Sequence, residues 1–307
     1  MIDAPAATQE NSGNFSGTLT AKLKEQFEEG LLSGQELRPD FTIAQPVHRY
    51  TETDHAIWRK LYDRQASMLQ GRVCDEFLQG LTTLGMERDR VPNFDELNET
   101  LMRATGWQVV AVPGLVPDEV FFEHLANRRF PASWWMRKPE QLDYLQEPDC
   151  FHDVFGHVPL LINPIFADYM QAYGQGGLRA QGLGRLTHLA RLYWYTVEFG
   201  LMRTQAGLRI FGAGILSSAG ESVFALESPR PLRVAFDCER VLRTRYEIDH
   251  YQDIYFVLSG YDDLPALRPA ELDAHIAAAH AAPEIAAGAQ IATDRVIVPH
   301  SKVAAPG

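Results

Sequence analysis

From Asp54 onward the chain sets apolar residues at helical spacing: Ile57, Trp58, Leu61, Tyr62, Met68 and Leu69 predict a helix pair over about 54–85. Asn93 is a good N-cap for a further helix. Glu96, three residues on, would complete a capping box, and Leu97 and Leu101 would point inward. Trp107 to Val112 reads as a short β run ended by Pro113-Gly114. Asp118 is expected to cap a helix through Phe122 and Leu125, and a short extended run to surround Trp134-Trp135. Pro148 to His157 reads as a helix, with Pro148 in its first turn and Gly156 and Pro159 at its end. Helices are expected at 163–174 and 185–203, strand fragments at Arg209-Ile210-Phe211 and Tyr255-Phe256-Val257, and an Ala-rich helix from Pro269. Residues 1–45, rich in Ser, Thr, Gly, Ala and Gln, read as an arm with one short helix from Leu19 to Leu32, and 283–307 as a tail. No internal repeat or Gly/Ser linker divides the rest. The expectation is one mainly α domain over 46–282 with a few short β-strands.

Composition narrows the partners. The 307 residues are 46% apolar, enough for a large core, and carry a formal net charge of -12. No Lys/Arg stretch is dense enough to track phosphates, which disfavours nucleic acid and anionic membrane surfaces. Met1-Ile2-Asp3-Ala4-Pro5 has neither a basic start nor an apolar run behind it, so no secretion signal is expected. No apolar stretch is long enough to span a bilayer. Cys74, Cys150 and Cys238 are odd in number and form no CxxC pair. Reduced thiols in the cytoplasm are the simplest reading.

The chemistry concentrates in Glu147-Pro148-Asp149-Cys150-Phe151-His152-Asp153-Val154-Phe155-Gly156-His157-Val158-Pro159. Neutral imidazole binds iron, zinc or copper well. Yet five steps along a regular helix turn two side chains roughly 140° apart. The pair converges only if the second His lies where the helix ends, as Gly156 and Pro159 suggest. Spacing alone is weak evidence: His275 and His280 repeat it on the Ala-rich helix without an aromatic wall. Two satisfied core histidines would explain His152 and His157 as well. Glu198, within the apolar stretch from Leu192 to Leu201, would be a buried carboxylate that needs a cation or a proton. Arg191 and Arg203 are candidate salt-bridge partners, and a metal is the alternative. Two His and one carboxylate make the facial triad of non-haem iron(II) oxygenases. The same donors could hold zinc in a hydrolase, although no HExxH accompanies them. Gly174-Gln175-Gly176-Gly177 is a weak phosphate-loop candidate, read more simply as a helix end. Glu221 reads as structural or as a support to a site residue.

With these residues in place the chain resembles the pterin-dependent aromatic amino acid hydroxylases, most closely the compact bacterial phenylalanine hydroxylases. The resemblance covers roughly residues 46–265. It rests on motifs in order: Thr105-Gly106-Trp107; Gly114-Leu115; Glu147-Pro148-Asp149; His152 through Leu160; Tyr193 through Leu201; and Gly212-Ala213-Gly214-Ile215-Leu216-Ser217-Ser218. It implies a mainly α catalytic fold and a hydroxylation of free phenylalanine to tyrosine that uses O2, a tetrahydropterin and iron(II). It implies His152, His157 and Glu198 as iron ligands and catalytic centre. On the pterin side it implies a stacking role for Phe121, backbone contacts from Gly114, Leu115, Val116 and Asp118, and places for Asp153, Ala190 and Tyr193. From the bare sequence, Phe121 would be a core residue and Asp153 a solvated acid. For the substrate it implies Arg137 on the carboxylate, where a bidentate fork suits the task, with Pro148, Trp194, Phe199, Gly214 and Ser217 lining the pocket. Leu145 and Pro117 depart from animal members, which carry Thr and Ser there. Hydroxylation of tyrosine or tryptophan is the nearest alternative. The partner expected is a small amino acid, and a monomer is the expected state.

Overall fold

The computed structural model describes residues 35–143, 145, 147–264 and 269–298. The helix expected over Leu19–Leu32 lies outside them. Helix α1 (Glu52–Met68) opens on a reciprocal cap, Thr51 accepting from the Asp54 N–H and Asp54 accepting from that of Thr51, and it buries Ile57, Trp58 and Leu61. Helix α2 (Asp75–Leu84) stops on Gly85, whose φ of 61° suits glycine. Helix α3 (Phe94–Ala104) starts at Asn93, which takes the Asp95 N–H at 2.9 Å. Glu96 turns out to an ion pair with Arg90, so the expected reciprocal box with Asn93 does not form.

Strand β1 (Gln108–Val112) pairs in parallel with β2 (Arg129–Ser133), and helix α4 (Asp118–Ala126) makes the crossover. The extended run ends at Ser133, short of Trp134-Trp135. Helix α5 (Pro164–Gln181) runs well past residue 174. Its glycines are contact points against α4: a Cβ on Gly174 would lie 2.4 Å from the Ala126 nitrogen, and one on Gly177 1.9 Å from the Phe122 ring. Gly174-Gln175-Gly176-Gly177 is therefore neither a phosphate loop nor a helix end. It lets two helices approach at backbone distance.

Helix α6 (Leu186–Tyr193) passes into a π-wound turn at Trp194–Glu198, and the chain then extends as β3 (Leu201–Thr204). The helix expected to reach residue 203 ends at Glu198, and the chain turns at Gly200. There the bend is so tight that a Cβ would sit 2.2 Å from the Phe211 ring and 2.3 Å from the Thr196 carbonyl. Strand β4 (Gly207–Ile210) completes a hairpin with β3. Short helices α7 (Ala213–Leu216) and α8 (Ala219–Glu227) precede strand β5 (Leu232–Ala235), helix α9 (Cys238–Arg243), strand β6 (Ile254–Leu258) and helix α10 (Pro269–Ala281). The second sheet has the order β4-β3-β6-β5, with β6 parallel to both of its neighbours. Strand β5 is not legible in the sequence, because it is four residues long, follows two prolines and contains Arg233. That Arg is buried and spends its guanidinium on the carbonyls of Ala225, Ser228 and Pro231.

Both ends of the described chain lie on this body. Ile43 is buried and donates to the Ala111 carbonyl of β1. Residues 283–298, inside the expected tail, add to the free edge of β5 through Ala235 N to Arg295 O at 2.9 Å and Ile297 N to Arg233 O at 2.7 Å. Arg191 grips Glu284, and the Arg240–Asp294 pair is buried at 2.9 Å. Removing one partner of such a pair strands the other charge. Asp294→Ala should cost about 3–5 kcal/mol, measured by urea denaturation. The core gathers around the His-bearing segment: Phe151 and Phe155 stack at 4.7 Å, and Trp58 of α1 meets Phe151 edge-on at 5.3 Å.

Candidate active site

The segment Phe151–His157 winds as a π-helical turn, where a regular helix end was expected. Its backbone bonds join residues five apart, so side chains at that separation come into line. The Nε2 atoms of His152 and His157 are therefore 3.3 Å apart. The same winding recurs at Trp194–Glu198, closed by the Phe199 N–H on the Trp194 carbonyl at 2.8 Å. It delivers Glu198, whose Oε1 lies 3.3 Å from His157 Nε2 and whose Oε2 lies 3.6 Å from His152 Nε2. One ligand atom from each of the three lies within 4.8 Å of the others.

The protonation states suit a cation. The Ser217 hydroxyl gives its one proton to the Ala213 carbonyl at 2.9 Å, so it accepts from His152 Nδ1 at 2.9 Å. That fixes the tautomer and leaves His152 Nε2 as a bare lone pair facing the cluster. Burial lowers the His152 pKa to about 4 against the pull of Glu198, so the ring is neutral near pH 7. Burial alone would raise the Glu198 pKa, but the two imidazoles and the Gly214 N–H outweigh it and hold the carboxyl below its ordinary value. An ionised carboxylate and a lone-pair nitrogen aimed at one point form a donor set that fits iron(II). Neither Arg191 nor Arg203 pairs with Glu198: Arg191 binds Glu284 and the Leu242 carbonyl, and Arg203 is exposed on β3. The other His pair diverges, with His275 on Glu239 and His280 on His188.

Arg137 is buried beside this turn and donates through Nε and Nη2 to the two oxygens of Asp149, at 2.8 Å each. Asp149 is fully buried and also accepts the backbone N–H groups of Arg137 and His152, both at 3.0 Å. It thus ties the guanidinium to the first turn of the His segment. Asp149 stands in the Glu147-Pro148-Asp149 motif, but its task is not legible in the sequence.

On another side, the Phe121 ring meets Tyr193 edge-on at 5.6 Å, and Tyr193 lies nearly parallel to His157 at 6.2 Å. Gly114, Leu115 and Val116 form the loop after β1, with Leu115 exposed, and Asp118 begins the helix that carries Phe121. Ala190 is half-buried on α6, one turn before Tyr193. Asp153 is buried, not solvated as the bare sequence suggested. It accepts the Ser133 N–H at 2.7 Å, and burial pushes its pKa up to about 7. Trp194 and Phe199 pack at 4.6 Å. A Cβ on Gly214 would lie 2.8 Å from the Phe199 ring and 3.1 Å from the Glu198 carbonyl, so a side chain there would push the Phe199 ring aside. Pro148 and Leu145 are half-buried near Asp149 in sequence, and Pro117 is buried ahead of α4. Ser217, expected at the substrate, is engaged with His152.

The fold and site define a hydroxylase class, and the sequence profile of the biopterin-dependent aromatic amino acid hydroxylases matches residues 35–268. The chain belongs to that family. It is 72% identical over 265 residues to the phenylalanine-4-hydroxylase of Ralstonia nicotianae, covering 86% of this chain and 84% of that protein. The iron- and phenylalanine-bound phenylalanine hydroxylase of Chromobacterium violaceum superposes with a TM-score of 0.83 at 52% identity, covering 89% of this chain and 99% of that one. A structure of the same enzyme with iron(III) and 7,8-dihydrobiopterin gives 0.80 at 58% identity over 84% and 93% of the two chains. No helix among the described residues is long and apolar enough to cross a membrane.

Proposed function

We propose that this chain hydroxylates free L-phenylalanine to L-tyrosine, with O2 and a tetrahydropterin as co-substrates and iron(II) held by His152, His157 and Glu198. The observation that carries the reading is the meeting of two imidazole nitrogens and one carboxylate within 4.8 Å at the junction of two π-wound turns. One oxygen atom of O2 goes to the substrate ring and the other to the pterin. Bound iron(II), with the reduced pterin, supplies the activation of O2 for this transfer.

The protein's own part is binding and orientation. Arg137 turns Nε and Nη2 to Asp149, and we assign its remaining Nη1 edge to the carboxylate of the amino acid. Trp194, Phe199, Gly214 and Pro148 wall the ring of the substrate. Phe121 stacks on the pterin, as a flat heterocycle favours, and Tyr193 and Ala190 border it. Gly114, Leu115, Val116 and Asp118 offer it backbone groups, and Asp153 sits at its guanidine-like edge. Ser217 holds His152 in the metal-binding tautomer. The catalytic unit is taken as 35–298, wider than 46–282, because both flanks pack on it. A reducing compartment such as the cytoplasm accords with three buried free cysteines, and a monomer is the expected state. Light scattering tests the monomer.

The deciding experiment loads the protein anaerobically with iron(II) and supplies phenylalanine, tyrosine or tryptophan with a tetrahydropterin and O2. Tyrosine from phenylalanine, as the fastest product, is expected. Absence of tyrosine with iron in place would overturn the reading.

A further inference from the structure

We infer that Gln252, remote from the site in sequence, is a positioning residue that fixes the indole plane of Trp194 at the substrate wall. The inference rests on the phenylalanine hydroxylase reading above. Trp194 Nε1 donates to Gln252 Oε1 at 2.9 Å, and among the described residues that N–H has no other partner. The opposite end of the amide, Nε2, donates to the carbonyls of Glu247 at 3.0 Å and His250 at 3.4 Å. An indole N–H only donates and a carbonyl only accepts, so the amide has one acceptable orientation, and a flip would set both ends against like groups. The Gln252 backbone is held in turn. Its N–H donates to Glu221 Oε1 at 3.2 Å, and the Tyr255 hydroxyl donates to the same oxygen at 2.7 Å. Gln252 and Glu221 are both buried.

The indole has reason to need a fixed plane. One face stacks on Tyr246 at 4.4 Å and 14°, and its neighbour is Phe199 at 4.6 Å. Trp194 also opens the π-wound turn that ends at Glu198, and its carbonyl closes that turn through the Phe199 N–H. A tilted indole therefore displaces Phe199, which already touches the no-Cβ position at Gly214. The loop at 247–250 and the acid on α8 thereby reach the aromatic wall through a single amide.

The test is a double-mutant cycle in the iron-loaded full-length protein. Gln252→Leu keeps the volume and removes the acceptor. It should raise the KM for phenylalanine about five- to tenfold, the order expected for a buried donor left unpaired, with kcat changed less than about twofold. In a Trp194→Phe background, which has no indole N–H, adding Gln252→Leu should change KM less than about twofold, because the shared interaction is already gone. An equal rise in both backgrounds would mean that Gln252 only braces its loop and would overturn the inference. A second readout needs neither iron nor turnover. Among the indole N–H resonances of the 15N-labelled protein, the one lost in Trp194→Phe should exchange slowly in the parent and move upfield in Gln252→Leu. Fast exchange of that proton in the parent rejects the hydrogen bond even if Gln252→Leu does not fold. Failure of the parent to make tyrosine rejects the function instead.

Discussion

Glu198→Gln will retain iron(II) more weakly than the parent by more than the about 10–100-fold that loss of an outer hydrogen-bond partner costs, and will lose tyrosine formation in step. The substitution keeps the volume and removes the only anionic donor of the cluster. Two imidazoles remain, which hold a divalent ion poorly without a carboxylate. The iron-free protein should be no less stable than the parent, because the Gln amide can donate to His157 Nε2, 3.3 Å from the present carboxylate oxygen. Metal content after anaerobic dialysis, set beside a thermal melt of the iron-free form, separates lost ligation from lost folding. Full iron occupancy in the variant would contradict the ligand assignment.

The second large effect falls on Asp149. It accepts the Arg137 fork and two backbone N–H groups while fully buried, so Asp149→Ala leaves a buried guanidinium unpaired along with two amides. Breaking a buried pair in this way costs about 3–5 kcal/mol, a large share of the about 5–15 kcal/mol that holds a typical domain folded. Asp149→Asn keeps one acceptor oxygen and should cost less. It should still raise the KM for phenylalanine, because Arg137 loses the carboxylate that aims it. Urea denaturation of both variants, with phenylalanine kinetics on the Asn form, checks the claim. An Ala variant within about 1 kcal/mol of the parent would show that Arg137 finds another acceptor.

Much of the site was visible in the chain before any fold, and the exceptions share a cause. His152, His157 and Glu198 stood out because charge and imidazole interrupt aromatic runs, and ordered motifs joined the two segments. Helices α1 and α2 followed from periodicity, since each buries a repeating face, whereas α10 was marked by its proline start and alanine content and strands β1 and β6 by short apolar β-type runs. Periodicity could not reveal the π winding: its period differs from that of an α-helix by less than one residue per turn, and each turn here lasts seven residues or fewer. Arg191 illustrates a second limit. Near in sequence to Glu198, it pairs instead with Glu284, 93 positions away. The capping box at Asn93 failed for a similar reason, as Glu96 found a stronger partner in Arg90. Gln252 and Asp149 carried no periodic or compositional signal, because each matters through bonds made only once the chain has closed on itself.

Winding by fives has a further consequence for how this protein tolerates genetic change. Point replacements around His152 and His157 alter size or charge but leave the count of residues intact. At the present residue count, relaxation to ordinary helical pitch would carry His157 about a quarter-turn around the axis from its present bearing, and an added residue would not bring it back. The centre is therefore addressed by counting as much as by chemistry, and frame-preserving single-residue insertions in that stretch should be far scarcer among functional variants than substitutions.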